Sequence, residues 1–358
     1  MMDDKYILVI NPGSTSSKVA LYCSNKCVDE SIFRYTVEEI GKYDTIMDQV
    51  PFREERLRTF LETNKIYPGD LAAVVARGGL MKSIIGGTYL VSDDMVSDLR
   101  SGKYGMHASN LGAIIANDIA IKYGVKAYTV DPVVVDEFED IARISGYKGI
   151  ERRSVFHALN QKAVARKVLK EEKKDYFASN VIVTHIGGGI SIGAHKSGRV
   201  IDCVNAFDGE GPFSPERTGG LPLIDFAKKI INENLDIPQV KSILAGEGGM
   251  KSYLGEIDIK TIEQKALAGE IEYKNYFDGM CYQISKGIAE MAAVLKGKVD
   301  YIILTGGVSH SEYVVNYIKS HVEWISEVKV MPGEEELLAL YEGVMRVIKG
   351  EEEARNYS

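Results

Sequence analysis

The chain has 358 residues, of which 45% are hydrophobic and 26% are charged, and its formal net charge is −8. This length is typical of about two domains, and the composition is typical of a globular protein with sizeable cores. A negative net charge argues against a nucleic-acid binder, whose surface is usually basic.

The N-terminus and the cysteines indicate a cytoplasmic protein. Met1-Met2-Asp3-Asp4 leads directly into an apolar run, without the pattern of a signal peptide. No apolar run approaches the ~20 residues that span a bilayer. The four cysteines form no CxxC pair and no zinc-ligand spacing with the six histidines, so buried thiols are expected. We therefore expect neither a membrane nor a nucleic-acid partner.

The chain opens with two apolar runs joined by a polar turn. Residues 6–22 read YILVINPGSTSSKVALY, with Gly13 and four hydroxyl residues between the runs. Asn25-Lys26 marks a second turn, after which residues 27–33 suit a third strand. A glycine at a strand tip lets a ligand approach the backbone and leaves N–H groups to face an anion. The pattern predicts a three-strand meander with a phosphate-facing tip.

Two charged residues stand at the ends of predicted buried strands. The strand at 71–77 ends at Arg77, where burying a charge is costly without an anionic partner. The strand at 126–130 follows a predicted helix and ends at Asp131, at the edge where open α/β sheets bind ligands. Arg77 either contacts a ligand or reaches solvent, and Asp131 either serves the site or caps a turn.

A histidine stands at the start of a long amphipathic helix predicted at 158–173. Ser154 can cap this helix, which would place His157 in its first turn, near the positive end of the helix dipole. That position favours a neutral imidazole that donates a hydrogen bond. The alternative is a packed histidine without a catalytic role.

The opening pattern recurs near the middle of the chain. Apolar runs follow one another at 181–186, 190–194 and 200–204. The triplet Gly187-Gly188-Gly189 ends the first of these runs, in the place that Gly13 takes in the first meander. Two related domains are therefore predicted, with a ligand in the cleft between two phosphate-facing tips. A chance match of two hairpins is the alternative.

Turns in the second half carry further candidates. Arg217 lies in the segment SPERTGG, where one guanidinium stands beside a flexible turn. The strand predicted at 299–305 breaks at Gly306-Gly307, and a helix from about Ser311 follows, an arrangement that can set a helix N-terminus against a nucleotide. A last helix is predicted at 334–349. The chain has no Walker A or HExxH motif, and no GxGxxG in the right context.

A set of motifs spans almost the whole chain. They are ILVINPGSTSSKVALY at 7–22, VARGG at 75–79, VDP at 130–132, RRSVFHALN at 152–160, THIGGGISIGAHKSGRVID at 184–202, PFSPERTGGLP at 212–222 and ILTGGVS at 303–309. In this order they resemble the motifs of the acetokinase family of short-chain acyl kinases, within the acetate and sugar kinase, Hsp70 and actin superfamily. PFSPERTGGLP resembles the butyrate branch of that family in particular.

The resemblance implies an α/β fold of two related actin-like (ribonuclease H-like) domains, each with a βββαβαβα core, and an active-site cleft between them. The N-terminal domain would comprise 1–155 plus 335–358, and the C-terminal domain 156–334. The implied reaction is the reversible, in-line, ATP-dependent phosphorylation of butyrate or a similar short acid to the acyl phosphate, with Mg²⁺. The resemblance also implies a homo-oligomer, at least a dimer.

The resemblance implies site residues, motif by motif. The first phosphate hairpin would contain Asn11, Gly13, Ser14, Ser16 and Lys18, the second phosphate loop Gly187, Gly188 and Gly189, and the adenosine turn Gly306 and Gly307. The catalytic set would be Arg77, Asp131, His157, His185 and Arg217. In these roles the arginines hold the carboxylate and the phosphoryl group, the aspartate lies near Mg²⁺, and the histidines flank the transferred phosphate.

The chain departs from the acetate kinase pattern in two places. Acetate kinases carry a metal-site glutamate just after the adenosine glycines, where this chain has Val308-Ser309-His310. Either Asp131 and water suffice, or Glu335 or a neighbour in the last helix substitutes. The second histidine of the FHGTSH pattern is also missing, since this chain continues from His157 with Ala-Leu-Asn.

The acyl pocket and the reaction class leave alternatives open. Phe156 and Pro212-Phe213 would suit a propyl tail. A kinase of the same fold that prefers acetate, propionate or a branched acid is one alternative. A sugar kinase or polyphosphatase of the superfamily is another, and an actin- or Hsp70-like ATPase is a third. Because a carboxylic acid with a pKa of about 4 to 5 is already ionised at neutral pH, no general base is expected and Asp131 would act electrostatically.

Overall fold

The computed structural model of the protein describes residues 5–205 and 207–358. It divides into two compact units: the first comprises Met1–Val135 and Glu335–Ser358, and the second comprises Asp136–Glu334.

The elements are as follows, in chain order. The strands are β1 (Tyr6–Pro12), β2 (Ser16–Cys23), β3 (Lys26–Arg34), β4 (Leu71–Ala76), β5 (Thr88–Leu90), β6 (Lys126–Val130), β7 (Ile144–Tyr147), β8 (Ile150–Glu151), β9 (Asn180–Ile186), β10 (Ile190–Lys196), β11 (Arg199–Val204), β12 (Tyr301–Gly306) and β13 (Val328–Pro332). The helices are α1 (Val37–Ile40), α2 (Val50–Thr63), α3 (Asp93–Ser101), α4 (Asn110–Tyr123), α5 (Ala158–Glu171), α6 (Leu223–Asn232), α7 (Ile237–Leu244), α8 (Met250–Leu254), α9 (Ile259–Leu267), α10 (Ile271–Val294), α11 (Glu312–Val322) and α12 (Glu336–Ile348).

The first unit is built on a six-stranded sheet in the order β3-β2-β1-β4-β6-β5. β1, β2 and β3 form an antiparallel meander, and β4 and β6 continue the sheet in parallel with β1. The apolar run of β1 suits this interior position, because a strand covered on both faces lacks polar alternation. Leu111 and Ile114 of α4 pack in one core with Leu8 and Ile10 of β1.

The C-terminal helix α12 packs on the sheet of the first unit. Tyr341 stacks on Tyr22 of β2 with ring centroids 4.3 Å apart. Gly343 lies so close to β6 that a Cβ there would stand 2.5 Å from a methyl carbon of Val130. The absence of a side chain at this position is therefore what lets the helix approach the strand.

The second unit is built on a five-stranded sheet in the order β11-β10-β9-β12-β13. β9, β10 and β11 form an antiparallel meander, while β12 runs parallel to both β9 and β13. Ile284 and Ile288 of the long helix α10 are fully buried in one core with Ile192 and Leu304 of the sheet. Val168 and Leu169 of α5 belong to a separate cluster.

Both sheets therefore begin with a three-strand meander and continue with two strands parallel to the meander's first strand, and the short β5 adds an antiparallel edge to the first sheet. The two predicted meanders are confirmed.

The segment 136–155 lies in the second unit, whereas the expected division placed it in the first domain. Its contacts explain this position. Arg152 pairs with Asp202 of β11 at 2.9 Å, and the N–H of Glu139 donates to Ile201 O at 3.0 Å. Expected and observed divisions both return the chain to the first unit at residue 335.

Several helices differ from their predicted bounds. The helix predicted at 158–173 ends at Glu171, and the last helix begins at Glu336 instead of residue 334. The short helices α7, α8 and α9 were not predicted from the sequence. Among the described residues, no helix combines the length and the apolar character that crossing a membrane requires.

Candidate active site

The first glycine-bearing tip joins β1 to β2. The N–H of Gly13 donates to Ser16 O at 2.7 Å and closes the turn. Ser14 is exposed at the tip, while Ser16 and Lys18 are partly buried on β2. Lys18 lies opposite Asn11 in the β1–β2 register. These residues, all predicted to form the first phosphate hairpin, are thus brought together at one end of the meander.

A buried carboxylate connects two of the predicted residues in the first unit. Glu336 is 6% exposed at the start of α12. One of its oxygens accepts from Arg77 Nη1 at 2.9 Å, and the other accepts from Nδ2 of Asn11. Glu336 thereby compensates the charge of Arg77, whose side chain is 29% exposed at the end of β4.

Glu336 was not among the predicted site residues, although its neighbour Glu335 was. Glu335 is exposed, just before the first turn of α12. Desolvation raises the pKa of Tyr22, and the charge of Glu335 contributes less in the same direction. Three consecutive glutamates, Glu334 to Glu336, are alike in sequence. Only the packing of α12 distinguishes the one that faces Asn11 and Arg77.

Asp131 follows β6 and is 3% exposed. Its Oδ1 accepts from the N–H of Gly87 at 2.7 Å, and its own N–H donates to Gly87 O at 3.0 Å. Its φ is +39°, in the left-handed region that non-glycine residues seldom occupy outside turns and functional sites. Two hydrogen bonds to Gly87 therefore hold Asp131 in this uncommon backbone conformation.

His107 is a candidate that the sequence analysis missed. Its Nδ1 accepts from the N–H of Ser109 at 3.2 Å, which leaves the proton of a neutral ring on Nε2. Desolvation of the ring and, after it, the charge of Arg77 lower the pKa of His107. A neutral imidazole close to Arg77 therefore adds a donor to this part of the first unit.

The second glycine-bearing tip joins β9 to β10 and carries the two predicted histidines. His185 is 6% exposed at the end of β9. Its Nδ1 lies 2.9 Å from Asn160 Oδ1, and its Nε2 lies 3.1 Å from Glu334 Oε1. The ring of His157 lies alongside, with its centroid 4.5 Å from that of His185. The structure thus brings the two histidines together.

His157 occupies a different position in its helix from the one predicted. It is itself the N-cap of α5, and its Nδ1 accepts from the N–H of Asn160 at 3.4 Å, so Ser154 is not the cap. A ring nitrogen that accepts must be unprotonated, so the proton of the neutral ring sits on Nε2. The capping residue of α5 is therefore His157 and not Ser154.

His157, His185 and Glu334 bring three possible metal-ligand atoms within 4.8 Å of one another. Two nitrogens and one oxygen do not suit Mg²⁺, which takes oxygen ligands. The cap bond also places the His157 proton on Nε2, where it suits an anionic oxygen better than a cation. The buried residues of the first unit include two carboxylates, Asp131 and Glu336, whose oxygens are the ligand type that Mg²⁺ takes.

Arg217 lies against the second glycine tip. A Cβ on Gly189 would stand 2.0 Å from Nη1 of Arg217, so the guanidinium rests directly on that backbone. Its Cζ lies 4.5 Å from the centroid of the Phe207 ring, and Ser214 Oγ donates to Gly188 O at 2.6 Å. Desolvation lowers the pKa of Arg217, and the charge of Glu216 acts in the opposite direction. The guanidinium remains charged at neutral pH because its ordinary pKa exceeds 12.

The predicted adenosine turn lies at the end of β12. Gly306 has a φ of +92°, and a Cβ there would stand 2.3 Å from Ile186 O. Gly307 starts a 3₁₀ turn, Gly307–His310, and α11 begins at Glu312, close to the helix start predicted at about Ser311. Ser311 caps α11 by accepting from the N–H of Val314 at 3.1 Å.

Phe213, which was predicted to help hold a propyl tail, is a buried residue. It is 7% exposed in the core of the second unit and packs edge-on against Tyr253, with centroids 6.0 Å apart. Phe156 is also buried. Both rings are apolar and buried, and their contact with a propyl tail stays a prediction.

Comparison with known proteins identifies the fold first. The crystal structure of Porphyromonas gingivalis acetate kinase matches with a TM-score of 0.77 at 17% identity, covering 95% of this chain and 99% of that one. A Francisella tularensis propionate kinase matches with a TM-score of 0.75 at 18% identity, covering 94% and 98%. The actin-like fold class expected from the sequence is confirmed.

Sequence relatives give the family. The acetokinase family model matches residues 143–334. A probable butyrate kinase of Enterococcus faecalis is 55% identical over 98% of this chain and 97% of its own length. Butyrate kinase 1 of Clostridium acetobutylicum is 49% identical over 98% of this chain and 99% of its own length. The chain belongs to the acetokinase family, as its motifs indicated.

Proposed function

We propose that the chain phosphorylates butyrate, or a similar short-chain carboxylic acid, with ATP to give the acyl phosphate and ADP, reversibly. Family membership and relatives named butyrate kinase support the reaction class. The observation that carries the proposal is the set of donors around the second glycine tip, where Arg217, His157 and His185 gather at an exposed backbone turn.

The chemistry requires no proton transfer. A carboxylate oxygen of the acid forms a bond to the γ-phosphorus while the bond from that phosphorus to the ADP oxygen breaks. The acid is already ionised at neutral pH, because its pKa is about 4 to 5. We therefore assign Asp131 an electrostatic role and no general base to the enzyme.

The main barrier is the approach of two anions. Loose phosphoryl transfer spreads charge over the equatorial oxygens, and fixed donors stabilise that charge. We assign Arg217 and the Nε2–H of His157 to the phosphoryl group in flight. We place His185 beside them, with its two nitrogens facing Asn160 and Glu334. We assign Arg77 to the carboxylate of the acid.

Metal binding is assigned to oxygen ligands of the first unit. Asp131 and Glu336 supply carboxylates, and Asn11 retains its amide oxygen because its Nδ2 donates to Glu336. When bound, Mg²⁺ would neutralise charge on the phosphate oxygens. Glu336 thus takes the role that the sequence analysis gave to Glu335 or a neighbour.

The remaining binding roles follow from the two tips and the glycine turn. The first hairpin and Gly187 to Gly189 are assigned to the phosphates of ATP, because both expose glycine-bearing backbone to an anion. Gly306 and Gly307 are assigned to the adenosine.

Trapping the product tests the reaction. Purified chain incubated with ATP, Mg²⁺, butyrate and hydroxylamine should form butyryl hydroxamate, and reactions lacking ATP or butyrate should not. ATP hydrolysis that is unaffected by acid, without hydroxamate, would instead indicate an ATPase and contradict the proposal.

Acids related to butyrate are the second candidates. Structural neighbours include an acetate kinase and a propionate kinase, so the same fold serves shorter acids. Steady-state kcat/KM values for acetate, propionate, butyrate and isobutyrate would rank them.

Two further properties belong to the same proposal. We expect at least a dimer, because Leu223, Ile224 and Ile231 of α6 are 81%, 70% and 76% exposed. Light scattering after gel filtration would give the mass. We also place the enzyme in the cytoplasm, where ATP is available. All four cysteines are described, and none is in a disulfide.

A further inference from the structure

An arginine is buried directly beneath the first glycine-bearing tip. Arg53 of α2 is 1% exposed. Its guanidinium donates to the following acceptors: Gly13 O at 2.8 Å, Ser14 O at 3.1 Å, Ser16 O at 3.5 Å, Ser17 Oγ at 3.3 Å, and Gln49 Oε1 at 2.8 Å from Nη2 and 3.2 Å from Nε. All these donors thus bond the tip, Ser17 beside it or Gln49, and the guanidinium also lies over the ring of Tyr35, with Cζ 4.7 Å from the ring centroid.

The four carbonyl groups of the tip, those of residues 13–16, all accept hydrogen bonds from protein donors. Arg53 takes the oxygens of Gly13 and Ser14. The N–H of Tyr35 donates to Thr15 O at 2.9 Å, and the N–H of Gly13 donates to Ser16 O at 2.7 Å.

The amide groups of the tip have the opposite orientation. Within the described parts of the chain, no acceptor takes the N–H of Ser14 or of Thr15. Both residues are exposed. Consecutive backbone N–H groups that face solvent form an anion-binding concavity.

The charge of Arg53 has no acidic partner among the described residues. Every acceptor on its guanidinium is a carbonyl, a hydroxyl or an amide oxygen. Burial lowers the pKa of Arg53, but a guanidinium stays protonated at neutral pH. A buried cation without a counterion is costly, and a nearby anionic ligand would offset that cost.

We propose that Arg53 is a positioning residue for nucleotide phosphates. It turns the tip carbonyls inward, so that the N–H groups of Ser14 and Thr15 face a phosphate, and it places a fixed positive charge beneath them. This inference rests on the proposed function, in which the first hairpin binds ATP.

Titration calorimetry on three variants of the full chain tests the role. Arg53→Met removes the charge and the donors, and Arg53→Lys keeps the charge without the planar fork. Arg56→Met is the matched control, because Arg56 lies on the same helix, is 48% exposed and pairs with Glu39 at 3.1 Å. The ligands are the β,γ-imido analogue of ATP, which is not hydrolysed, and AMP.

We expect Arg53→Met to weaken binding of the analogue by about tenfold or more, equivalent to ~1.4 kcal/mol, and to weaken binding of AMP less. Arg53→Lys should fall between Arg53→Met and the wild type, and Arg56→Met should match the wild type. An equal loss for both ligands would indicate general distortion and overturn the inference. Unchanged affinity for the analogue in a folded Arg53→Met chain would also overturn it.

A second variant covers the case in which Arg53→Met does not fold. Gln49→Met leaves the arginine charge but removes the acceptor that orients its Nε and Nη2. The same larger loss for the analogue than for AMP is expected, and equal losses again refute the role. Failure of the proposed function gives a different result, namely wild-type chain that forms no hydroxamate from any short acid.

Discussion

The contact between Gly189 and Arg217 makes a sharp prediction about the second glycine tip. In Gly189→Ala, the new Cβ would stand 2.0 Å from Nη1 and 2.4 Å from Cζ of Arg217. Carbon atoms in contact stand about 3.5 Å apart, so the guanidinium must move by roughly 1.5 Å. Because the obstacle is the end of a long side chain, the fold should survive while the charge leaves its position.

The size of the effect follows from that displacement. A misplacement of about 1 Å in a catalytic group costs on the order of 10²-fold in rate. We therefore expect Gly189→Ala to lower kcat about 10²-fold, or ~2.7 kcal/mol of activation free energy. Arg217→Ala removes the guanidinium altogether and should lower kcat on the order of 10³-fold or more, by analogy with arginine fingers.

The assay is butyryl hydroxamate formation at saturating ATP, with thermal melting to confirm folding. Gly188→Ala is the comparison, because a Cβ there meets only Glu216 Oε2, at 3.7 Å, and its loss should be at least about tenfold smaller. Gly189→Ala should add little to Arg217→Ala, since both act on one group. A folded Gly189→Ala enzyme within threefold of wild type would refute the reasoning, as would a full additional loss in the double variant.

Three further predictions concern metal binding, pH and acid specificity. Glu336→Gln should raise the Mg²⁺ concentration for half-maximal rate by about tenfold or more, because a metal ligand or a neighbour of one is lost. Glu335→Gln should raise it less. A larger increase in Glu335→Gln than in Glu336→Gln would assign the metal to Glu335. Desolvation, then the charges of Lys162 and Arg166, hold the pKa of fully buried His195 well below 6.5. As the pH falls below ~6.5, His195 binds a proton in the unfolded chain but not in the folded one. This residue should therefore lower the free energy of unfolding by about 1.4 kcal/mol per pH unit. Urea unfolding at pH 6.5 and 5.5 should show a smaller drop in His195→Asn, and an equal drop would contradict the assignment. Because each buried methylene offers only ~0.8 kcal/mol, kcat/KM should vary less than a thousandfold among propionate, butyrate, isobutyrate and valerate.

The elements that the sequence predicted well are those with local signals. β6 has its predicted bounds, Lys126–Val130, because an apolar run between a helix-ending glycine and Asp-Pro is bounded on both sides. Both meanders could be predicted because a period of two and turn glycines are short-range properties. The helices α7, α8 and α9 were missed because they are short and separated by turns.

The sequence indicated which residue types belong to the candidate site, but only partly which of those residues contact each other. Gly189 stood out as part of a glycine triplet, but nothing in the sequence shows that a guanidinium 28 positions later rests on it. His157 was found as a residue at a helix start, yet whether it or Ser154 caps α5 depends on how the chain enters the helix. Arg53 gave no signal, since an arginine in a polar helix usually faces solvent.

The amino-acid pattern alone was enough to specify two glycine-tipped meanders, because hydrophobic period and turn chemistry depend on near neighbours. Which groups meet was decided by the folded chain. Arg77 and Glu336 are 259 positions apart, and only the packing of α12 on the first sheet buries that carboxylate and leaves Glu335 exposed. Pairings of this kind depend on burial and charge compensation across the core, which near neighbours in the sequence do not encode.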